Sequence, residues 1–338
     1  MRSTHDGDVF SLLQDRLAPA LEEVERVLAE QTRDERGVLT DILSHLAQAG
    51  GKRLRPLLVL LTAQLGEDEA ARTSDAVKTA AVAVELTHLA TLYHDDVMDS
   101  APARRGVPSA QMVWSNNQAI LAGDLIFSRA SMLVADLGPE AVRQHAATFV
   151  RLCQGQLNET AGPREDDDPI SHYLQVLADK TGSLVAQSAR FGAELVGAPA
   201  SQVDALYRFG DAVGVAFQIA DDVLDIASDH EVSGKTPGTD LREGVDTLPI
   251  LLLRRDEAEG TLDAAGREIL DGLAGGLGDD AALAAVVERL RAHDVLDRTR
   301  VLALEWSERA KAELDALDEG EVKSALLAFA DLLVDRVA

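Results

Sequence analysis

The chain has 338 residues, 46% of them hydrophobic and 27% charged, enough for a soluble domain with a sizeable core. Its net charge of −26 and pI near 4.6 exclude the basic footprint that nucleic-acid binding needs, and set it against anionic membrane surfaces. A single cysteine, Cys153, excludes an intrachain disulfide or a cysteine-based zinc site and reads as a small core residue within a helix. The start of the chain has neither the basic residues nor the apolar run of a signal peptide, and no apolar stretch reaches membrane-spanning length, so a cytoplasmic protein without stable membrane insertion is expected.

Helical periodicity runs through almost the whole chain, and only 4% of residues are aromatic while Ala and Leu dominate, which favours an all-α fold. Leu12, Leu13, Leu17, Leu21, Val24 and Val27 mark a first amphipathic helix. A second runs from about Val38 to Leu46 and is broken by Gly50 and Gly51. Pro56 suits the first turn of a third helix that continues to Leu65. Thr73 or Ser74 can cap a long helix running toward Asp99. Ser100 to Pro108 reads as a loop, followed by helices over 117–137, 139–159, 171–195 and 201–227. The acidic run Glu165 to Asp168 reads as a solvated loop. A glycine- and proline-marked loop spans Ser228 to Val245, and helices fill the remainder. The pattern describes one all-helical domain over residues 1–338.

Two of these helices end in the same pattern, Asp95-Asp96-Val97-Met98-Asp99 and Asp221-Asp222-Val223-Leu224-Asp225. On a helix the first and last acid of each run lie on one face, one turn apart, where they repel. A solvated acidic patch explains one such run. Two runs, each following apolar residues, point to a cation. Hard oxygen ligands suit Mg2+ shared with a substrate phosphate.

Basic groups are sparse, so their positions carry weight. Gly50-Gly51-Lys52-Arg53-Leu54-Arg55-Pro56 places cations at a helix N-terminus, an anion-binding arrangement. There Lys52 and Arg55 are the candidates, Arg55 with a bidentate grip on phosphate. Arg104-Arg105-Gly106 follows the first acidic run by five residues. His88 lies two turns before Asp95 on the same face and reads as a phosphate contact. Lys180-Thr181 stands in mid-helix, Gln218 one turn before the second run, and Lys235 in the loop after it.

The ordered set GGKRLRP, HxxxxxxDDVMD, ARRG, KT, FQIADDVLD and GKTPGTDLREG resembles the trans-isoprenyl diphosphate synthases from about Gly50 to Pro249. That resemblance implies the isoprenoid synthase helical bundle around a deep central cavity. It implies Mg2+ held principally by Asp95, Asp99 and Asp221, supported by Asp96, Asp222 and Asp225. Arg104, Lys180 and Lys235 would hold an allylic diphosphate, and Lys52, Arg55, His88 and Arg105 isopentenyl diphosphate. Asp222, Lys180, Thr181 and Gln218 would be catalytic, the last two through dipoles aimed at a carbocation. The loop Ser228 to Val245 would be a lid, and the enzyme a homodimer whose interface the 117–137 helix could supply. Ser100 stands where many relatives carry an acid. A terpene cyclase would share the first acidic run but not the Lys52/Arg55 cluster, and a non-catalytic partner subunit would be expected to lose metal ligands that are intact here.

Ala90 and Thr91 lie five and four residues before Asp95. Bulky aromatics there would form a cavity floor. Small residues over several turns imply a deep tunnel and a long all-trans polyprenyl product, of the kind used as a quinone tail. Phe127 or Met132 is then the candidate floor. A short-chain synthase is the alternative.

Overall fold

The computed structural model describes residues 3–34, 37, 39–227, 237–242 and 244–335. Val38, Lys235 and most of the expected lid lie outside them. Apart from a two-stranded hairpin, the secondary structure described is helical. The residues form two compact units.

The first unit comprises residues 1–150, 183–210 and 313–328. Its spine is the Asp75–Met98 helix, started by Ser74, whose Oγ accepts from the Val77 amide at 3.4 Å. Every residue from Ala80 to Thr87 on it is buried. Burial on all sides requires a helix apolar all round, and these turns supply one, with Glu85 and Thr87 as the exceptions. Around the spine pack the helices Leu54–Thr62, Asn116–Asp136, Ser183–Leu195 and Ser3–Gln31. Contact with the Asn116–Asp136 helix is close at Gly123, where a Cβ would stand 2.4 Å from His94 Nε2.

The Asn116–Asp136 helix corrects one expectation. Within its 21 residues an 18-residue window has a mean hydropathy of 1.3, so the helix is long and apolar enough to cross a membrane by length and composition. One side packs on the spine through Ala119, Ala122, Ile126, Ala130 and Val134, while Ile120, Leu121 and Met132 are exposed. Met132, at 71% exposure, is therefore no cavity floor. Cys153 is also corrected. Residues Ala141, Gln144, His145, Thr148 and Leu152 form the buried stripe of the Pro139–Ala161 helix, and Cys153 lies one residue off it, exposed.

The second unit comprises residues 151–182, 211–312 and 329–338. It holds the end of the Ala200–Ala227 helix, the Pro169–Leu177 helix and the helices from Leu248–Glu259 to Asp294–Glu313. The expected helix over 171–195 is interrupted by a π turn at Ala178–Gly182, a wider i→i+5 winding. Asp168, within the acidic run, is the cap of the Pro169–Leu177 helix, with Oδ2 accepting from the Ser171 amide at 2.9 Å.

Candidate active site

In the first unit the acidic run closes the spine helix. Asp96 is fully buried, Asp95 is half-buried and Asp99 is exposed. The outer acids of the run are thus accessible and the inner one is not. Arg104 Nε donates to Asp96 Oδ1 at 2.6 Å. Burial pushes the Asp96 carboxyl upward, opposed by the charge and hydrogen bond of Arg104.

Arg104 reaches this position because residues 100–108 are not a plain loop. Ala103–Arg104 and Val107–Pro108 pair as a minimal antiparallel hairpin. Arg105 (φ +53°) and Gly106 (φ +78°) turn it, both left-handed, as tight hairpins require. Strands of two residues leave no periodicity for a sequence to display. The turn directs the two neighbouring arginines to different partners. Arg104 goes to Asp96, while Arg105 Nη1 donates to the carbonyls of Gly50 and, at 3.0 Å, Leu46.

The GGKRLRP segment uses the same backbone region. Gly50, Gly51 and Arg53 all have positive φ. At Gly51 a Cβ would meet Arg105 Cζ and Arg53 Nη1, each at 3.1 Å, so glycine permits both guanidiniums to approach the backbone. The centre of this cluster is Glu85, 2% exposed. Arg53 Nη1 lies 2.8 Å from its Oε1 and Arg105 Nη2 lies 3.9 Å from it. Arg53 also bonds Glu25 and the Ala47 carbonyl. Arg55 Nε is buried with no hydrogen-bond partner. His88 is held well below the ordinary imidazole pKa, by burial first and then by Arg55, Arg105, Arg104 and Arg53. Lys52 is exposed.

The structure therefore brings Arg55, His88, Arg104 and Arg105 together within one unit. The sequence reading passed over Arg53 and Glu85, which organise them. A signal existed: Glu85 is the single acid between Asp75 and Asp95 on this helix.

The second unit repeats the division within its own acidic run. Asp222 is 4% exposed, while Asp221 and Asp225 are half-buried. The Tyr173 hydroxyl donates to Asp222 Oδ2. Burial drives the Asp222 carboxyl well up, with the Tyr173 bond opposing and Asp240 among the charges adding to it. Gly238 N donates to the Asp225 carbonyl at 2.9 Å. Nearby, Thr181 Oγ1 donates to Gln218 Oε1 at 3.3 Å, and Lys180 Nζ lies 2.5 Å from Glu159 Oε2. Thr181 and Gln218 thus meet, and both occupy the same unit as Asp221 and Asp222.

Among the described residues, no three His, Cys, Asp or Glu side chains gather closely enough to hold a metal by themselves. The accessible donors are carboxylate pairs one helical turn apart. That donor set fits a hard divalent ion completing its shell with phosphate oxygens and water.

A family model described as polyprenyl synthetase matches residues 36–269. The chain is 46% identical over 313 residues to nonaprenyl diphosphate synthase of Mycobacterium tuberculosis, covering 93% of this chain and 91% of that one. It is 38% identical to heptaprenyl diphosphate synthase component 2 of Geobacillus stearothermophilus, with 94% and 95% covered. The fold superposes with a TM-score of 0.83 and 44% identity on geranylgeranyl pyrophosphate synthase from Corynebacterium glutamicum complexed with calcium and isoprenyl diphosphate, covering 96% of this chain and 97% of that one. With its acidic runs and basic cluster in place, this chain belongs to the polyprenyl synthetase family of prenyl-transferring enzymes.

Proposed function

We propose that the chain is a Mg2+-dependent synthase that condenses isopentenyl diphosphate with an allylic diphosphate to make a long-chain all-trans polyprenyl diphosphate. The observation that carries the reading is the cluster around Glu85. Arg53 and Arg105 pair with one buried carboxylate, Arg55 feels its charge and keeps a buried, unpartnered Nε, in a chain whose net charge is −26. Concentrating cations against that background suits a polyanion such as a diphosphate.

Asp95 and Asp99 on one helix, and Asp221 with Asp225 on the other, would be the Mg2+ ligands. Magnesium, when bound there, would supply charge neutralisation for a diphosphate leaving group. Arg104, Lys180 and Lys235 orient the allylic diphosphate, and Lys52, Arg55, His88 and Arg105 orient isopentenyl diphosphate. His88, held neutral, serves as a hydrogen-bond donor that adds no further charge to the arginines. The hydroxyl hydrogen of Thr181 is committed to Gln218, which leaves the threonine lone pairs available to an allylic cation. The alkene attacks that cation, and the departed pyrophosphate takes the proton released.

Three observations support a long product. Ala90 is buried, Thr91 returns its hydroxyl to the His88 carbonyl at 2.8 Å, and Thr87 does the same to Ala83. The helix before the acids therefore presents small, internally satisfied side chains. Phe127 stacks on Phe149 at 3.9 Å and His145 at 5.5 Å, an aromatic stack able to end a tunnel. The nonaprenyl synthase relative agrees with a long product, and the geranylgeranyl structure keeps the twenty-carbon outcome in view. The exposed Ile120, Leu121 and Met132 suit a homodimer interface.

The test is a product assay with labelled isopentenyl diphosphate, Mg2+ and a series of allylic primers. Products beyond twenty carbons are expected. A stop at twenty or fewer keeps the enzyme class and removes the long-chain reading. No incorporation by folded, metal-supplied protein overturns the proposal in favour of a cyclase or a partner-dependent subunit.

A further inference from the structure

The π turn at Ala178–Gly182 carries Lys180 and Thr181, and its surroundings hold it on several sides. Arg151 Nε donates to Asp179 Oδ1 at 2.7 Å, its Nη1 to Asp211 Oδ1 at 2.9 Å, and its Nη2 to the Ala178 carbonyl at 3.1 Å. Gln175 Nε2 takes the other Asp179 oxygen at 2.8 Å. Three glycines remove the side chains that would push the turn away. A Cβ on Gly155 would stand 2.7 Å from Lys180 N, one on Gly182 2.8 Å from the Asp211 carbonyl oxygen, and one on Gly214 2.6 Å from Gly182 Cα.

A π turn inside a helix inserts a residue into the winding and persists only where the surroundings determine it. The insertion also sets the angular position of every side chain it carries. Here it coincides with Thr181 meeting Gln218 and Lys180 meeting Glu159. Arg151 binds the turn at its first two residues and at a neighbouring helix.

We propose that Arg151 is a positioning residue, which through Asp179, Asp211 and the Ala178 carbonyl fixes the π turn that aims Thr181 and Lys180 at the allylic substrate. The proposal rests on the roles assigned above to those two residues. Without the guanidinium, Asp179 and Asp211 lose the cation between them and the turn loses its clamp.

The experiment is a double-mutant cycle between Arg151→Gln and Thr181→Val on the full chain, with Arg151→Lys as the conservative variant. Amide hydrogen exchange over residues 178–184 is read on the same proteins without substrate. Arg151→Gln is expected to lower kcat by about 10-fold or more, as small misplacements of reacting groups do, with KM for isopentenyl diphosphate held within about two-fold. Added to Thr181→Val, it should cost no more than about a further two-fold, because the two act through one element. Arg151→Lys should recover part of the rate, and exchange over 178–184 should quicken in Arg151→Gln alone of the single variants. Unchanged kcat with unchanged exchange overturns the proposal, as do losses that add in full. If Thr181→Val and Lys180→Met leave kcat intact, the underlying site reading fails instead, and the exchange data still show whether Arg151 holds the turn. Should Arg151→Gln not fold, Asp211→Asn, which keeps the Arg151–Asp179 pair, takes its place in the cycle.

Discussion

Arg104 Nε lies 2.6 Å from Oδ1 of Asp96, a carboxylate with no exposed surface, at the middle of an acidic run whose outer members are accessible. Tyr173 holds Asp222 in the corresponding place in the second run. Each DDxxD pattern thus holds two kinds of residue: an outer i,i+4 pair with access to solvent and an inner acid that is buried. The first prediction separates them. Asp95→Ala and Asp221→Ala should lower activity by about 100-fold or more and move the Mg2+ requirement upward, since metal charge stabilisation amounts to several kcal/mol. Asp96→Ala and Tyr173→Phe should instead cost about 1–3 kcal/mol of stability, the cost of leaving a buried polar group unpaired. Activity against Mg2+ concentration and urea unfolding of the same variants distinguish the two effects. Chelation should abolish turnover, and added Mg2+ should restore it.

Neighbouring cations in the GGKRLRP segment should likewise behave differently. Arg53 is buried against Glu85 and Glu25, so Arg53→Met should destabilise the protein by about 3–5 kcal/mol by leaving Glu85 short of a partner. Lys52 is exposed, so Lys52→Met should leave the melting temperature nearly unchanged. It should raise KM for isopentenyl diphosphate by about 10-fold or more, the worth of one charged hydrogen bond. Thermal melts beside steady-state kinetics on both variants check this.

Product length should respond to bulk near the acidic run. Thr91→Phe places a ring four residues before Asp95 and should shorten the product to about one or two units beyond the primer, because one helical turn rises about 5.4 Å, close to one isoprene unit. Phe127→Ala should lengthen the product distribution, and Met132→Ala should leave it alone because Met132 is exposed. Chromatography of the dephosphorylated products reads all three.

The pH dependence of stability follows from His88. Its folded-state pKa is depressed well below the ordinary value of about 6.5, so the unfolded chain binds the proton more readily. Its contribution to stability is complete above about pH 6.5 and falls away as pH drops below that, by at most about 1.4 kcal/mol per pH unit for one group. His145, lowered by burial, acts in the same direction. The raised carboxyls of Asp222 and Asp96 act in the opposite sense, so the check is the difference between proteins: from pH 8 to pH 5.5 the wild type should lose stability relative to His88→Gln.

Most of the helical plan was legible in the sequence. A 3.6-residue period, Ser74 as a cap and the breaks at Gly50 and Gly51 are local features, and the observed helices respect them. The two acidic runs were legible for the same reason, since i,i+4 spacing on a helix is itself a statement about geometry. Less legible were features whose cause lies in a distant segment. The Arg105-Gly106 hairpin is too short for any period to reveal. The π turn is held by Arg151 and Asp211, far from it in sequence.

The amino-acid order by itself determined the helices, the facing of Asp95 with Asp99 and of Asp221 with Asp225, and the shortage of cations that made each basic group conspicuous. Only the tertiary structure decided which charged groups keep access to solvent and which are buried within the fold. Asp96, Asp222, Arg53 and Glu85 are the same residue types as their accessible neighbours, but packing removes them from water and gives each a partner. A buried charge must be paired where an exposed one need not be, and burial is a property of the assembled chain that no local spacing encodes.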